Sequence, residues 1–368
     1  MYAVEIIADE AALAGYVPEW AVLDAATSPR TPFSSPLWCM TWWRHFARTG
    51  LSARDRMKVL AVRNGDRLVA VAPMMVTSRP SIGPIQAREL QFFGADASMT
   101  EVRGPVCRPE DAEAVVAALH AHLKTCTSEW DWVQWRGLRK AEPAAPWTHA
   151  ALPLAHYAEL TDHYLTLPPT WEEFRAGLPR NIKESLRKCY NSLTRDGHTF
   201  EFRIVSAPDE SEAALRRFLE LHKKRAHVTG KVSHTDVFAK PEPQRFLMDY
   251  GLALARAGDL RVFQLAVGGV VVATRIGIVL GEELYLYYSG YDPDWGRYSV
   301  MTTVVAESIR WAIENGFKIV NLSTGTDVSK MRWRPQQAVF ASGYQVSSAM
   351  RARLAFASLE IVRRRRRG

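Results

Sequence analysis

The stretch Tyr291-Asp-Pro-Asp-Trp-Gly-Arg-Tyr-Ser-Val-Met-Thr302 gathers residue types that can hold an anion. It joins the end of an aromatic, strand-like run to the start of a helical pattern. A helix N-terminus offers backbone N–H groups without internal partners and a partial positive charge, and both suit a pyrophosphate. Gly296 lets the backbone come close and Arg297 adds a formal charge. Tyr298, Ser299, Val300, Met301 and Thr302 complete the candidate loop. The same spacing describes a plain strand-to-helix connection capped by Ser299, and spacing alone favours that plainer reading. A second group, Ser35-Pro-Leu-Trp-Cys-Met-Thr-Trp-Trp-Arg44, starts like a helix at Ser35 and Pro36. Its Trp38 and Trp42 either pack a core or line an acceptor cleft. Cys39, Cys107, Cys126 and Cys189 form no C-x-x-C pair, so no zinc or redox site is signalled and no metal is expected.

These groups need elements to position them. In the C-terminal half, Glu201–Ser206 alternates like a strand, and Pro208–Ala226 and Pro243–Ala257 carry apolar residues at helical spacing. Leu260–Val267, Val270–Leu280 and Glu283–Ser289 then read as an antiparallel meander with glycine turns. Ser299–Asn315 is a helix, Lys318–Leu322 a buried strand, and Ala338–Ser347 one more strand. Ahead of them, Trp171–Arg195 shows an apolar stripe flanked by Arg180 and Lys183, with Pro179 splitting it into two helices. This linker is equally a solvated amphipathic helix or a basic binding face.

The N-terminal half repeats the scheme. Residues 58–70 (KVLAVRNGDRLVA) align without gaps to 261–273 (RVFQLAVGGVVVA). An aromatic strand, a helix and a further strand follow in each half: Glu89–Gly94, Pro109–Leu123 and Trp132–Arg136 in the first, and Glu283–Gly290, Ser299–Asn315 and Lys318–Leu322 in the second. Shared order across five elements points to an internal duplication.

The order of elements resembles the GCN5-related N-acyltransferase fold. The segments Tyr287-Tyr-Ser-Gly-Tyr-Asp292, Tyr298-Ser-Val-Met301, Ser323-Thr-Gly-Thr-Asp327 and Ser329-Lys-Met-Arg-Trp333 resemble the CelD/BcsL family of acyltransferases, related to the Fem aminoacyl ligases. Val300-Met301, Asn321 and Ser329 depart from that pattern, which commonly has Pro-Gly, Asp and Tyr there. The resemblance implies an α+β chain with two tandem copies of the GCN5-related fold, each a mixed central sheet flanked by helices. Residues 1–158 would be a degenerate copy and 159–350 the acyltransferase copy, with a linker helix at 171–195 and an Arg-rich tail at 351–368. It further implies direct acyl transfer from acyl-CoA or acetyl-CoA, or from an aminoacyl-tRNA, to an amine or hydroxyl. The acceptor would be a small molecule or carbohydrate, with an association with exopolysaccharide or envelope synthesis. For that chemistry His222 is the base suited to neutral pH, Lys330 steadies an oxyanion, Tyr288 and Tyr291 donate a proton, and Asp327 orients Lys330 or an amine. Trp38, Trp42, Arg180, Lys183 and Trp333 are expected to contact substrate, and the loop Gly296–Thr302 to hold the donor.

The 368 residues carry a net charge of +8, with 47% hydrophobic and 23% charged residues, which excludes a disordered or fibrous chain. Seven arginines and one acid lie in residues 351–368, so the remainder is close to neutral and poor evidence for a nucleic-acid binder. Five consecutive arginines, Arg363–Arg367, suit an anionic membrane surface, and the alternative to an enzyme is a non-catalytic scaffold held there by them. The N-terminus lacks a signal-peptide pattern and no apolar run reaches about 18 residues. A cytoplasmic protein, peripheral at the inner membrane face, is expected.

Overall fold

The computed structural model describes residues 2–83, 86–96, 98–140, 152, 154–227 and 235–365. The chain forms two compact units. One comprises 1–28, 33–160 and 338–368; the other comprises 29–32 and 161–337.

In the second unit six strands lie in the order Phe200–Val205, Leu260–Val267, Val270–Leu280, Glu283–Tyr291, Ile319–Thr324 and 161–166. All neighbours are antiparallel except Glu283–Tyr291 and Ile319–Thr324, which are parallel. Helix Val300–Glu314 makes the crossover that a parallel pair requires. It buries Val304, Ile309, Ala312 and Ile313 in the same core as Phe263, Leu265, Leu284 and Val320. Each such side chain contributes about 1.5–3 kcal/mol of transfer free energy. Helix Pro208–Ala226 starts with Pro208, Asp209 and Glu210 and ends with Lys223, Lys224 and Arg225, a charge order that complements its dipole. It lies so close to the central strand that a Cβ on Gly290 would stand 2.6 Å from the Leu221 carbonyl carbon. Helices Trp171–Gly177 and Arg180–Arg195 are separated at Pro179.

The first unit holds a four-stranded sheet, Tyr2–Ile7, Val59–Asn64, Arg67–Ala72 and Val106–Cys107. A second set of strands runs 338–346, Trp132–Arg139, Ala87–Phe92, Met74–Arg79 and Arg54–Met57. The duplication extends to hydrogen-bond register. Val62 opposes Ala70, with a bulge between Val62 and Arg63; Leu265 opposes Ala273, with a bulge between Leu265 and Ala266. These are equivalent positions in the gapless alignment. Each unit then has one parallel pair of three residues, Glu89–Gln91 with Trp132–Gln134 and Glu283–Tyr285 with Ile319–Asn321. The fold is α+β, a tandem duplicated GCN5-related N-acyltransferase fold. The first copy differs in that its long strands are broken at Lys58 and Pro73. Proline has no N–H for a ladder, and Pro73 stands where the second copy has Ile276.

Two expectations are corrected. Residues 338–350 do not complete the C-terminal copy: Phe340–Val346 pair antiparallel with Trp132–Arg139 in the first unit. The second unit takes its corresponding edge strand from 161–166. The expected Arg-rich tail at 351–368 is largely an ordered element. Met350–Arg365 is a helix, with Ala352 and Phe356 buried, Phe356 against Trp132, and Arg351 paired with Asp131 at 2.8 Å. Arg363–Arg365 continue this helix, and Arg366 and Arg367 lie outside the described residues. Among the described residues no helix is long and apolar enough to cross a membrane.

Candidate functional site

The central strand Glu283–Tyr291 carries a bulge at Tyr287 and Tyr288, where three steps on this strand match two between Arg275 and Gly277 on its neighbour. Its parallel pairing with Ile319–Thr324 stops at Tyr285–Asn321 although both strands continue. The two strands therefore part, and the residues beyond that point supply a polar cluster.

On one side stand Arg225, Tyr288 and Tyr291. Arg225 Nη1 donates to Ser289 Oγ at 2.6 Å. Burial pushes its guanidinium below the usual value, while the nearby Tyr291 and Asp327 pull it back up. On the other side Lys330 Nζ donates to Ser323 Oγ at 2.9 Å and to the Thr324 carbonyl, and lies 3.4 Å from Asp327 Oδ2. Burial opposes ionisation of Asp327, but the Ser329 hydroxyl, Lys330 and Arg275 hold its carboxyl below the ordinary value. Ser323 adopts φ 70°, a left-handed conformation that costs a non-glycine residue about 1–2 kcal/mol. Asn321 Oδ1 accepts from the Ser323 N–H at 2.7 Å, and its Nδ2 donates to Asp162 Oδ2 at 2.6 Å. An aspartate at 321 would oppose two carboxylates, so the departure to Asn321 is matched by Asp162.

Sequence reasoning passed over His163, next to Asp162. It is fully buried, and neither ring nitrogen has a hydrogen-bond partner among the described residues. Burial holds the ring below its ordinary pKa, with Lys330 adding to the effect and Asp327 opposing it. Its available signal was an adjacent Asp-His pair in an alternating strand. Arg332 was legible only as part of Ser329–Trp333, and Arg225 only as a charge near the end of the helix Pro208–Ala226.

His222 borders the Arg225 side of this cluster, against Tyr288 and Ser289, with its Nε2 3.9 Å from Asp236 Oδ1. It is buried among Phe218, Phe238 and Tyr288, and its Nδ1 is 3.0 Å from the Ser289 carbonyl, which makes that nitrogen the donor. This is the setting of a packed histidine that ties its helix to the strand.

The loop Gly296–Thr302 divides in two. Tyr298 is buried, and its hydroxyl donates to Asp196 Oδ2 at 2.9 Å, accepts from Arg297 Nη2 at 2.5 Å and lies 3.2 Å from His198. Val300 is also buried. These two anchor the loop. Ser299, at φ 56°, makes the left-handed turn into helix Val300–Glu314 and gives no side-chain cap. Met301 and Thr302 are half-buried at that uncapped N-terminus, and Arg332 Nη1 is 3.4 Å from Thr302 Oγ1 while its Nη2 donates to Ser185 Oγ at 2.9 Å. A Cβ on Gly296 would meet only Tyr291, at 3.8 Å.

The expected substrate contacts scatter. Trp333 is in the core of the second unit. Arg180 is exposed and paired with Glu184, and Lys183 donates to the Ala176 carbonyl at 2.8 Å. Trp38 and Trp42 are buried in the first unit, with their indole N–H groups donating to Thr100 Oγ1 and Asp96 Oδ2. They present no open surface to an acceptor. Among the described residues no group of His, Cys, Asp and Glu forms a metal site.

Solved structures of similar shape include FemX (12% identity, TM-score 0.59, covering 92% of this chain and 96% of that one). A conserved protein of unknown function from Bacteroides thetaiotaomicron shares 13% identity at TM-score 0.54, covering 93% of this chain and 100% of that one. The C-terminal domain of a putative lysylphosphatidylglycerol synthetase from Agrobacterium fabrum shares 14% at 0.51, covering 95% and 96%. At such identities the likeness is one of fold. No curated protein sequence matches the chain. Residues 180–333 match the acetyltransferase (GNAT) domain family, a span that contains the parted strands, Arg225, the uncapped helix start and Lys330.

Proposed function

We propose that the second unit transfers an acyl group directly from a CoA thioester to an amine or hydroxyl of a small-molecule or carbohydrate acceptor. The observation that carries this reading is the parting of two parallel strands between an uncapped helix N-terminus and a cationic cluster. The free N–H groups at the start of helix Val300–Glu314, with Arg332 and Arg297, suit the donor's pyrophosphate. The parted strand edges leave backbone groups for its extended arm. The acceptor nitrogen or oxygen attacks the carbonyl carbon, and the C–S bond breaks as the new bond forms. Lys330 and Arg225 offset the oxyanion charge, and the Tyr291 phenol supplies the proton for the leaving sulfur. Asp327, half exposed, draws the acceptor's N–H or O–H inward, and the proton released from the acceptor passes through water to restore the Tyr291 phenol.

The names of the FemX and lysylphosphatidylglycerol synthetase structures motivate a second donor class, an aminoacyl-tRNA. Arg180, Arg187 and Lys188, exposed on helix Arg180–Arg195, favour that reading over a plain linker. Peripheral contact of the last helix with an anionic membrane is a separate proposal. Met350, Leu354 and Ile361 are exposed on it, ahead of Arg363 in sequence. Such attraction fades as salt shortens the Debye length to about 10 Å at 0.1 M.

Calorimetry with acetyl-CoA, longer acyl-CoA thioesters, free CoA and aminoacyl-tRNA separates the donors. Binding of a thioester that Thr302→Glu weakens supports the proposal. Binding of aminoacyl-tRNA alone replaces the donor, and binding of neither removes the transferase reading.

A further inference from the structure

Among the described residues of the first unit, neither Arg103 nor Arg136 has an ion pair, and each has a buried N–H without a partner. Arg103 Nη1 and Arg136 Nε are buried and donate to no group among the described residues. Their backbones touch: a Cβ on Gly104 would stand 2.6 Å from the Arg136 carbonyl oxygen, and one on Gly137 2.7 Å from the Arg103 carbonyl carbon. Arg136 and Gly137 form a bulge against the strand 338–346, where Leu138 opposes Ala341 and Trp135 opposes Gly343. Such bulges re-aim side chains and occur next to binding sites. Arg103 Nη2 donates to Gln134 Oε1 at 3.1 Å, and Gln134 Nε2 to Tyr344 Oη at 2.7 Å, so the Arg103 fork is held in place by a neutral network.

The carboxylates nearby are committed elsewhere. Asp96 Oδ1 accepts from the N–H groups of Ser98, Met99 and Thr100, and its Oδ2 from Trp42 Nε1 and Thr100 Oγ1. Glu89 pairs with Arg79 at 2.8 Å. Burial pushes the Arg103 guanidinium down to about 10, and the charge of Arg136 adds to this. Both arginines remain partly accessible as residues, so a small solute can reach them. An unpaired buried guanidinium donor is costly, and two together are a feature that a folded core by itself selects against.

We propose that Arg103 and Arg136 form an oxyanion site in the first unit that takes the phosphate group of a phosphorylated small molecule. A carboxylate satisfies one guanidinium fork; donors from two separate guanidinium groups suit an anion with three outward oxygens and up to two charges. The inference is independent of acyl transfer, since every residue it uses lies in the unit that lacks the parted-strand cluster.

The test is calorimetry of the full chain with inorganic phosphate, pyrophosphate and acetate at matched ionic strength, with melting temperatures in parallel. Phosphate or pyrophosphate is expected to bind at least tenfold more tightly than acetate. Arg136→Gln should abolish binding of inorganic phosphate, while pyrophosphate can still bind in the second unit, and should raise the melting temperature of the ligand-free protein, because it removes a buried guanidinium N–H that has no partner among the described residues. Arg310→Gln, a half-exposed arginine of the second unit paired with Glu314, should leave phosphate binding intact. Preference for acetate, retained phosphate binding in Arg136→Gln, or a lower melting temperature of that variant without ligand would each overturn the site. Arg103→Gln repeats the test from the other side chain.

Discussion

The two crossover helices begin alike in topology and unlike in chemistry. Helix Val300–Glu314 starts after Ser299 with no acid in its first turn. Helix Ala112–Thr125 starts after Pro109, with Glu110, Asp111 and Glu113 around its N-terminus. Three carboxylates there satisfy the helix dipole internally and repel a phosphate. The space beyond the parallel pair differs in the same sense. The parallel pairing ends after three residues in both units, but in the first the backbone at Arg103 and Gly104 lies against Arg136 and Gly137, just past the paired residues Trp132–Gln134. The lesson is that packing preserved the register of both copies, while the strand ends, which the core does not need, diverged.

The strongest test of that contrast is Lys330→Met. If the second copy carries the chemistry, turnover should fall on the order of 100-fold, as expected for loss of one oxyanion donor. The melting temperature should move little, because the Lys330 ties to Ser323, Thr324 and Asp327 lie at the end of a strand and in the loop after it. Unchanged turnover would make Lys330 a loop anchor and leave the two copies functionally equal.

Next in size is a pair of glycine changes. Gly290→Ala should destabilise the second unit by about 1–3 kcal/mol, since its Cβ would press helix Pro208–Ala226 off the strand. Gly296→Ala should leave stability unchanged, and chemical denaturation of both variants checks the difference. A third change transplants the first copy's chemistry: Thr302→Glu should weaken a bound thioester about fivefold, equivalent to about 1 kcal/mol of dipole and charge repulsion. Donor affinity in calorimetry reads it out, and unaltered affinity would separate this helix start from the pyrophosphate.

Ser299→Gly should stabilise the fold by roughly 1 kcal/mol by relieving a left-handed serine, provided its backbone stays put. The smallest effect is with pH. His163 is buried with a depressed pKa, so the unfolded chain binds more protons as pH drops through the ordinary histidine value. Its contribution to stability is present above about pH 6.5 and is lost as pH falls toward the folded-state value. Urea midpoints should therefore drop on acidification in the wild type and less so in His163→Gln. His122 in the first unit, lowered by burial and by Lys58, gives the same sign and serves as the internal comparison.

Much of this was legible in residues alone. The gapless match of 58–70 to 261–273 carried the duplication, and structure extends it to the bulge at Val62 and Leu265. Helical spacing located Pro208–Ala226 within its observed bounds. What could not be read is which strand pairs with which. The alternation in Ala155–Thr166 and in Gln336–Val346 specifies a half-buried strand and not its neighbour, so the assignment of 338–350 went to the wrong copy. The tryptophans misled because burial and binding use the same residues: Trp38 and Trp42 satisfy their N–H groups internally. Arg103, Arg136 and His163 were silent because an unpaired polar atom is a property of three-dimensional neighbours.

Strand 338–346 bears on how the protein is made. A ribosome releases the first unit's opening strand at Tyr2, yet the edge partner of Trp132–Arg139 emerges some two hundred residues later. Domains generally fold as units during synthesis, N-terminal first. Here the first unit cannot close before the second has been translated, and until then Trp132–Arg139 exposes an unpaired edge to other nascent chains. A chain that stops short of residue 338 is thus expected to damage the first unit while keeping every residue of the second.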